Sequence, residues 1–216
     1  MNIILFGPPG AGKGTQGDNL VKKFNLYRIS TGDLLRDVIK NKKPLYKKIS
    51  LIINKGELVP DDIINDLIFE SLTNKNIFNK IIFDGYPRNI IQAKNLDIIL
   101  NKFEQKITYV FNLKVDQDII TKRILGRQIC NKCGLIFNKY FKPSTLQNHS
   151  CDKKYLTKRV DDNEDTIRHR FNIYKNETLP ILNYYNKRSL LHEIDGNDDF
   201  TSIFKQISDI INSLEG

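Results

Sequence analysis

No apolar run in this 216-residue chain approaches the roughly 20 residues that a membrane-spanning helix needs, and no membrane partner is expected. The amino terminus also lacks a secretory pattern. Met1-Asn2 carries no basic region, and the apolar stretch behind it runs straight into a glycine-rich loop, so no signal peptide is expected. Cysteine is scarce. Three residues, two of them in a Cys-x-x-Cys pair, exclude a disulfide framework and suit a reducing cytoplasm, the expected location. There is no internal repeat and no low-complexity tract. Acidic residues are in deficit: 34 Lys+Arg against 25 Asp+Glu leave a net charge of +9. Such an excess serves either a polynucleotide or a cleft for small, multiply charged phosphates. The lysines are scattered and form no stripe interleaved with aromatics, whereas the arginines gather at motif positions. A phosphate cleft is therefore expected, and no nucleic-acid partner.

What is present is enough apolar material, 40% of residues, for one core domain with inserted subdomains. Short β-branched runs at 2–6, 26–29, 80–83, 108–113 and 190–194 read as strands buried on both faces. Helical periodicity fills 13–24, 31–40, 45–54, 61–72, 90–102, 117–126, 162–182 and 200–214, with Ser30, Asp61 and Asp116 as expected caps. Strands alternating with helices predict an α/β fold around a parallel sheet. Two stretches interrupt the alternation. Residues 30–59 place two helices between the second and third strands, and 128–160 read as a β-rich insertion holding all three cysteines. An insertion of that length is more often functional than passive.

The run Gly7-Pro8-Pro9-Gly10-Ala11-Gly12-Lys13-Gly14-Thr15 follows the first strand and opens a helix. It fits a phosphate loop, with Gly14 where Ser or Thr is usual and Thr15 one place later. Glycines let backbone N–H groups face a phosphate, and the helix N-terminus adds its positive end. Lys13 then reaches the β- and γ-phosphates, and Thr15 or a water meets Mg²⁺. Asp84-Gly85-Tyr86-Pro87-Arg88 follows the third strand at its carboxyl end, where ligands sit in parallel sheets. Asp84 is placed to hold Mg²⁺ through water, and Arg88 to clamp a second phosphate. Thr31-Gly32-Asp33-Leu34-Leu35-Arg36 also follows a strand, and there a plain Asp33–Arg36 helical pair competes with a binding role. Arg36, Arg88, Arg123, Arg127, Arg159 and Arg170 all fall in such positions. A phosphoryl group in flight spreads charge over several oxygens, which planar guanidinium groups suit. His169 and His192 carry no evident chemistry.

In combination these segments resemble the adenylate kinase family: GPPGAGKGT (7–15), ISTGDLLR (29–36), KGELVPD (55–61), DGYPRN (84–89) with Gln92, KRILGR (122–127) and RVDDNEDTIRHR (159–170). The resemblance implies a P-loop NTPase-type five-stranded parallel sheet flanked by helices, with a core at 1–29, 60–126 and 163–216. A helical monophosphate-binding segment would occupy 30–59 and a small β-rich lid 127–162. It implies Mg-dependent transfer between ATP and AMP to give ADP, by a monomer, with no strong general base. Gly10, Ala11, Gly12, Lys13, Gly14 and Thr15 would cradle the ATP phosphates, with Ile136, Phe137 and Gly196 near the adenine. Thr31, Arg36, Glu57, Leu58, Val59, Gly85, Tyr86, Pro87, Arg88 and Gln92 would bind AMP. Arg123, Arg127, Arg159 and Arg170 would converge on phosphates as the lid closes, Arg127 on the ATP side. Asp84 would order the Mg²⁺ shell, and Asp161 and Asp162 would lie at the lid hinge. Kinases of UMP/CMP or GMP are the nearest rivals, and the long cysteine-bearing lid favours the adenylate branch. A phosphate-loop switch or nucleic-acid binder with a zinc-ribbon-like arm is the rival from another class.

Cys130-Asn131-Lys132-Cys133 makes half of a tetrahedral Zn²⁺ site. Long-lid members of the family complete it with a second Cys-x-x-Cys or Cys-x-x-Asp. Here Cys151-Asp152-Lys153-Lys154 departs, since lysine is no usable ligand. Either His149 joins Cys130, Cys133 and Cys151, or Asp152 supplies an oxygen. The third reading is a lid with free thiols held by Phe137, Tyr140, Phe141 and Tyr155. Any ion there is expected to be structural rather than catalytic.

Overall fold

A computed structural model describes residues 1–73 and 77–215 of the chain. The first strand, β1 (Asn2–Phe6), leads into α1 (Lys13–Phe24), β2 (Tyr27–Ser30) and three helices, α2 (Thr31–Lys40), α3 (Tyr46–Lys55) and α4 (Asp61–Leu72). Then come β3 (Ile81–Asp84), α5 (Ile90–Lys102), β4 (Tyr109–Lys114) and α6 (Gln117–Leu125). A small subdomain carries β5 (Arg127–Cys130), β6 (Ile136–Asn138) and β7 (Leu156–Thr157). The chain ends with α7 (Glu164–Ile173), α8 (Leu179–Asn186), β8 (Leu191–Asp195) and α9 (Phe200–Glu215).

Five strands pair in parallel in the order β2-β3-β1-β4-β8. Successive side chains of β1 point to opposite faces, as strand geometry requires. Ile3 and Leu5 join Ile82, Phe111 and Ile194 beneath α1 and α9. Ile4 and Phe6 join Phe83, Val110 and Ile29 beneath α5 and α8. Ile203, Ile207 and Ile211 of α9, four residues apart, form one buried stripe against the first cluster. Burying each contributes about 1.5–3 kcal/mol. With apolar residues on both faces and helices covering both, the parallel strands bring their carboxyl ends to one edge, where β2, β3, β4 and β8 end on Ser30, Asp84, Lys114 and Asp195. The switch point of the order lies at β1, between β3 and β4, where ligands of such sheets bind.

The insertion forms an antiparallel sheet in the order β6-β5-β7. Four core strands run one residue later than their apolar runs suggest, because pairing continues until each chain turns. Asp84 pairs with Leu5, and Ser30 with Asp84, at that common edge.

Three local expectations are corrected. Ser30 caps α2 by accepting from the Asp33 amide, but Asp61 is the first residue of α4 rather than its cap, and Pro60 precedes it. The Asp61 carboxylate accepts from the Asn89 and Gln92 amides instead. Asp116 occupies the cap position of α6, but its side chain makes no cap bond, and only its carbonyl accepts, from the Ile120 amide. The single helix expected over 162–182 is α7, a π-helical segment Tyr174–Thr178, and α8. Pro180 is the cause: it has no N–H and its ring presses on the carbonyl four residues back, so the preceding turn widens.

Candidate active site

The loop after β1 turns through Gly12, at φ 96°, into α1. Lys13 folds back over this loop, its Nζ donating to the carbonyls of Gly7 at 2.7 Å and Pro8 at 3.0 Å. Burial pushes the Lys13 pKa down to about 8, and Arg88, Arg170 and Arg127 add to that against the opposing pull of Asp84. Beside the loop, the Gly85 carbonyl accepts from Thr31 Oγ1 at 2.8 Å and from Arg88 Nε at 2.8 Å. Gln92 Oε1 accepts from the Arg88 amide at 2.7 Å, and its Nε2 donates to Asp61 at 2.7 Å. One buried glutamine therefore ties the Arg88 turn to the start of α4.

Four cations meet here without enough anions. Burial first, then Arg170 and Arg36, bring Arg88 down to about 10. Burial, then Arg127 and Arg36, bring Arg159 down to about 9. Arg170 is lowered by burial too, although Asp161 binds its Nη1 at 2.7 Å. Among the described residues no carboxylate forms an ion pair with Lys13, Arg88 or Arg159, and Arg159 Nε is buried with no partner. Arg127 grips the fully buried Asp162 carboxylate, with Nε donating at 2.8 Å. Such a site is poised for a polyanion.

The space around these groups is one branched cleft. Its main arm, about 1080 Å³ with open solvent included, runs from Gly10, Gly12, Lys13, Gly14 and Thr15 past Asp84 to Arg127, Ile136, Phe137 and Arg159. A second arm of about 590 Å³ is walled by Thr31, Arg36, Glu57, Leu58, Val59, Gly85 and Gln92. A third, of about 510 Å³, passes Pro87. Arg88 and Arg170 line all three arms.

The adenylate kinase model matches residues 5–190. An adenylate kinase of Pelagibacter ubique is 47% identical over 98% of this chain and 99% of its own. Those of Archaeoglobus fulgidus and Thermosipho melanesiensis are 38% and 40% identical, over 100% and 98% of this chain and 100% and 99% of theirs.

The chain belongs to the adenylate kinase family. It is a phosphotransferase of the nucleoside monophosphate kinase type.

Within this adenylate kinase fold, several expected site residues are also held by the protein's own groups. Arg123 lines the main arm together with Arg88, Arg127, Arg159 and Arg170. Its guanidinium donates to the carbonyls of Ala11, Gly196 and Asp198 and lies between the Phe141 and Phe200 rings, 5.6 Å from each centroid. Its Nε is buried without a hydrogen-bond partner, no carboxylate among the described residues pairs with it, and burial lowers its pKa as it does those of Arg88, Arg159 and Arg170. The Gly196 N–H donates to the Lys114 carbonyl, and its own carbonyl accepts from Arg123. The Ala11 side chain is buried in the core, and the buried Tyr86 hydroxyl donates to Asn65 Oδ1. The plain Asp33–Arg36 helical pair does form.

Sequence reasoning missed Arg28. It stands on β2, one residue before the ISTGDLLR motif. Its Nε lies 3.1 Å from Asp18, its Nη2 3.1 Å from Asp33 and its Nη1 3.0 Å from Asp84. A charged residue in an otherwise apolar strand was the available signal.

In the lid, one ligand atom each of Cys130, Cys133, His149 and Cys151 falls within 4.8 Å of all the others. His149 is buried, its Nε2 has no partner, and its Nδ1 lies 2.8 Å from Ser144 Oγ. The Cys130 thiol resists ionisation through burial, yet the Cys133 and Lys132 amides and His149 hold its pKa below the usual thiol range. Asp152 turns away, capping the short 3-10 turn Lys153–Tyr155 through the Lys154 amide. Tyr140 and Phe141 are exposed, so packing of the aromatic set alone does not hold this segment.

Proposed function

We propose that this chain carries out its family's reversible transfer, ATP + AMP giving two ADP, by charge stabilisation rather than by acid–base catalysis. The observation that supports this best is the buried, under-neutralised group of Lys13, Arg88, Arg159 and Arg170 along the cleft, of which Arg88 and Arg170 line all three arms. Desolvated, preorganised cations stabilise the charge that spreads over a transferring phosphoryl group at little reorganisation cost. The main arm takes ATP, with Gly10 to Thr15 around its phosphates and Ile136 and Phe137 beside its base. The second arm takes AMP, between Thr31, Glu57 to Val59 and Gln92, with Arg36 and Arg88 on its phosphate. Arg88 and Arg170 face both nucleotides, which suits a group that passes between them. The residues at 127–162 act as a lid over the core and those at 30–59 as the monophosphate-binding segment. Their closure excludes water and protects ATP from hydrolysis.

The acidic corner suits Mg²⁺ in its chemistry. Asp84, Asp33 and Thr15 offer hard oxygens beside the phosphate loop, and one Asp84 oxygen is not taken by Arg28. Bound there with ATP, the ion neutralises phosphate charge. The lid cluster suits a structural Zn²⁺ held by Cys130, Cys133, Cys151 and His149. The orphaned Nε2 of His149 supports that set over Asp152, and Ser144 fixes the ring from behind. Three unpaired thiols support a cytoplasmic setting. The chain is read as a monomer, which sedimentation checks.

The test is phosphoryl transfer from Mg-ATP to AMP, GMP, CMP and UMP. Fast transfer to AMP alone is expected, with losses of orders of magnitude in Lys13→Met and Arg88→Ala that unfold like the parent. Preference for another acceptor, or near-normal turnover in both variants, refutes the assignment.

A further inference from the structure

Among the described residues, Arg28 is the one guanidinium of the cleft wall whose three nitrogens all meet carboxylates. Each of its three nitrogens meets a different one: Nε Asp18, Nη2 Asp33, Nη1 Asp84. Asp18 lies on α1, Asp33 on α2 and Asp84 ends β3, so the fork joins three elements that converge on the phosphate loop. The fit is close at Gly17, where a Cβ would lie 2.7 Å from Arg28 Cδ; one on Gly14 would make only ordinary contact, 3.6 Å from Nη1 and 3.7 Å from Asp84 Oδ2.

We propose that Arg28 is a positioning residue for the cation that accompanies the donor nucleotide: its guanidinium fixes the Asp33 and Asp84 carboxylates and, as a resident positive charge beside them, weakens their hold on a divalent ion. The proposal rests on the reading that Asp84 faces that ion. Arg28 takes Oδ2 of Asp84 and Oδ2 of Asp33, and Arg36 takes Oδ1 of Asp33, so Asp84 Oδ1 is the oxygen of the pair left for a metal-bound water. Like charges a few ångströms apart repel, and in this partly buried corner solvent screens them only in part. The ion is therefore held chiefly by the nucleotide's phosphates, and leaves with them. A neutral side chain at position 28 would leave three carboxylates facing one another. That arrangement binds a divalent ion more tightly and in less defined directions.

The test is a titration of Mn²⁺ into the protein complexed with a β,γ-imido analogue of ATP, with free Mn²⁺ read by electron paramagnetic resonance. Arg28→Gln is expected to bind Mn²⁺ at least threefold more tightly than the parent. Arg28→Lys, which keeps the charge but not the fork, is expected to stay within twofold. The Mg²⁺ concentration for half-maximal turnover should move down in Arg28→Gln, with the KM for AMP unchanged. Both variants are compared at a temperature where circular dichroism shows them folded. Asp84→Asn separates the two layers of the argument. If it weakens Mn²⁺ binding while Arg28→Gln leaves affinity unchanged or lower, the role of Arg28 is overturned and the placement of the ion stands. If Asp84→Asn changes nothing, the placement falls, and the role of Arg28 with it.

Discussion

Alanine at Gly56 and alanine at Gly134 form a matched pair of perturbations. Both glycines hold left-handed backbone, at φ 76° and 75°. Gly56 ends α3, and Gly134 follows Cys133 in the lid. A Cβ in that region costs about 1–2 kcal/mol at either site, or a fall in Tm of about 2–8 °C for a chain of this size. The surroundings differ. At Gly56 the new carbon would lie 2.9 Å from Arg170 Cγ and 2.9 Å from Thr166 Cγ2, whereas at Gly134 nothing lies within 4 Å. Relief at Gly56 requires the Arg170 stem to move by most of an ångström, to ordinary contact distance. Overpacking adds about 1–3 kcal/mol when the stem cannot move. When it can, the displaced guanidinium loses its aim, and misplacement by about 1 Å can cost on the order of 10²-fold in rate. Calorimetry and kcat/KM for AMP read the two terms. Gly134→Ala is expected to lose only stability, with kcat/KM within twofold of the parent. Gly56→Ala is expected to lose about as much stability or more, and about 10- to 100-fold in kcat/KM. Equal kcat/KM in the two folded variants would refute the claim that Gly56 sets the place of Arg170.

Lys13 has a folded pKa of about 8, below its unfolded value, so the free enzyme loses this charge as pH rises through 8. Then kcat/KM for Mg-ATP should fall above pH 8, while kcat of the saturated complex, in which phosphates favour the ammonium, holds to higher pH. A kcat/KM profile flat to pH 9.5 would count against it. Asp162→Asn strands the Arg127 charge that Asp162 now neutralises without exposure, and should cost about 3–5 kcal/mol by denaturant titration; an unchanged stability would show the pair to be dispensable. Zinc analysis should give one ion per chain, lost in His149→Ser and kept in Asp152→Asn. A chelator should lower Tm in the parent but not in His149→Ser, and the reverse pattern would return the fourth position to Asp152.

The five core strands were legible because β-branched runs buried on both faces have few other uses in a chain that alternates with helices. Their ends were not. Asp84 and Ser30 belong to strands through the partners they pair with, and a residue's own preference does not report its partner. The phosphate loop, Arg88 and Arg170 were readable because short spacing places each on a strand end or helix turn. Arg28 was hidden, since its role comes from Asp18, Asp33 and Asp84, the last of them 56 residues away. Arg123 was readable as a cleft residue from its motif, and it lines the main arm, but its bonds to the Ala11, Gly196 and Asp198 carbonyls were not, since nothing near Arg123 in sequence announces them. His149 was readable as a candidate ligand, but the choice between it and Asp152 depended on the fold of the loop at 144–152.

The π-helical turn at Tyr174–Thr178 acts as a phase shifter. In a regular α-helix each residue advances the side-chain direction by about 100°, so one residue of slack between α7 and α8 resets the angular relation of everything on either side. Arg170 lies before the slack. Thr178, whose hydroxyl donates to the Arg88 carbonyl at 2.8 Å, closes it. The widened turn thus lets one continuous rod present a cation to the cleft from its first half and clasp the Arg88 turn from its second. A chain shortened by one residue here would regain helical pitch and lose that alignment.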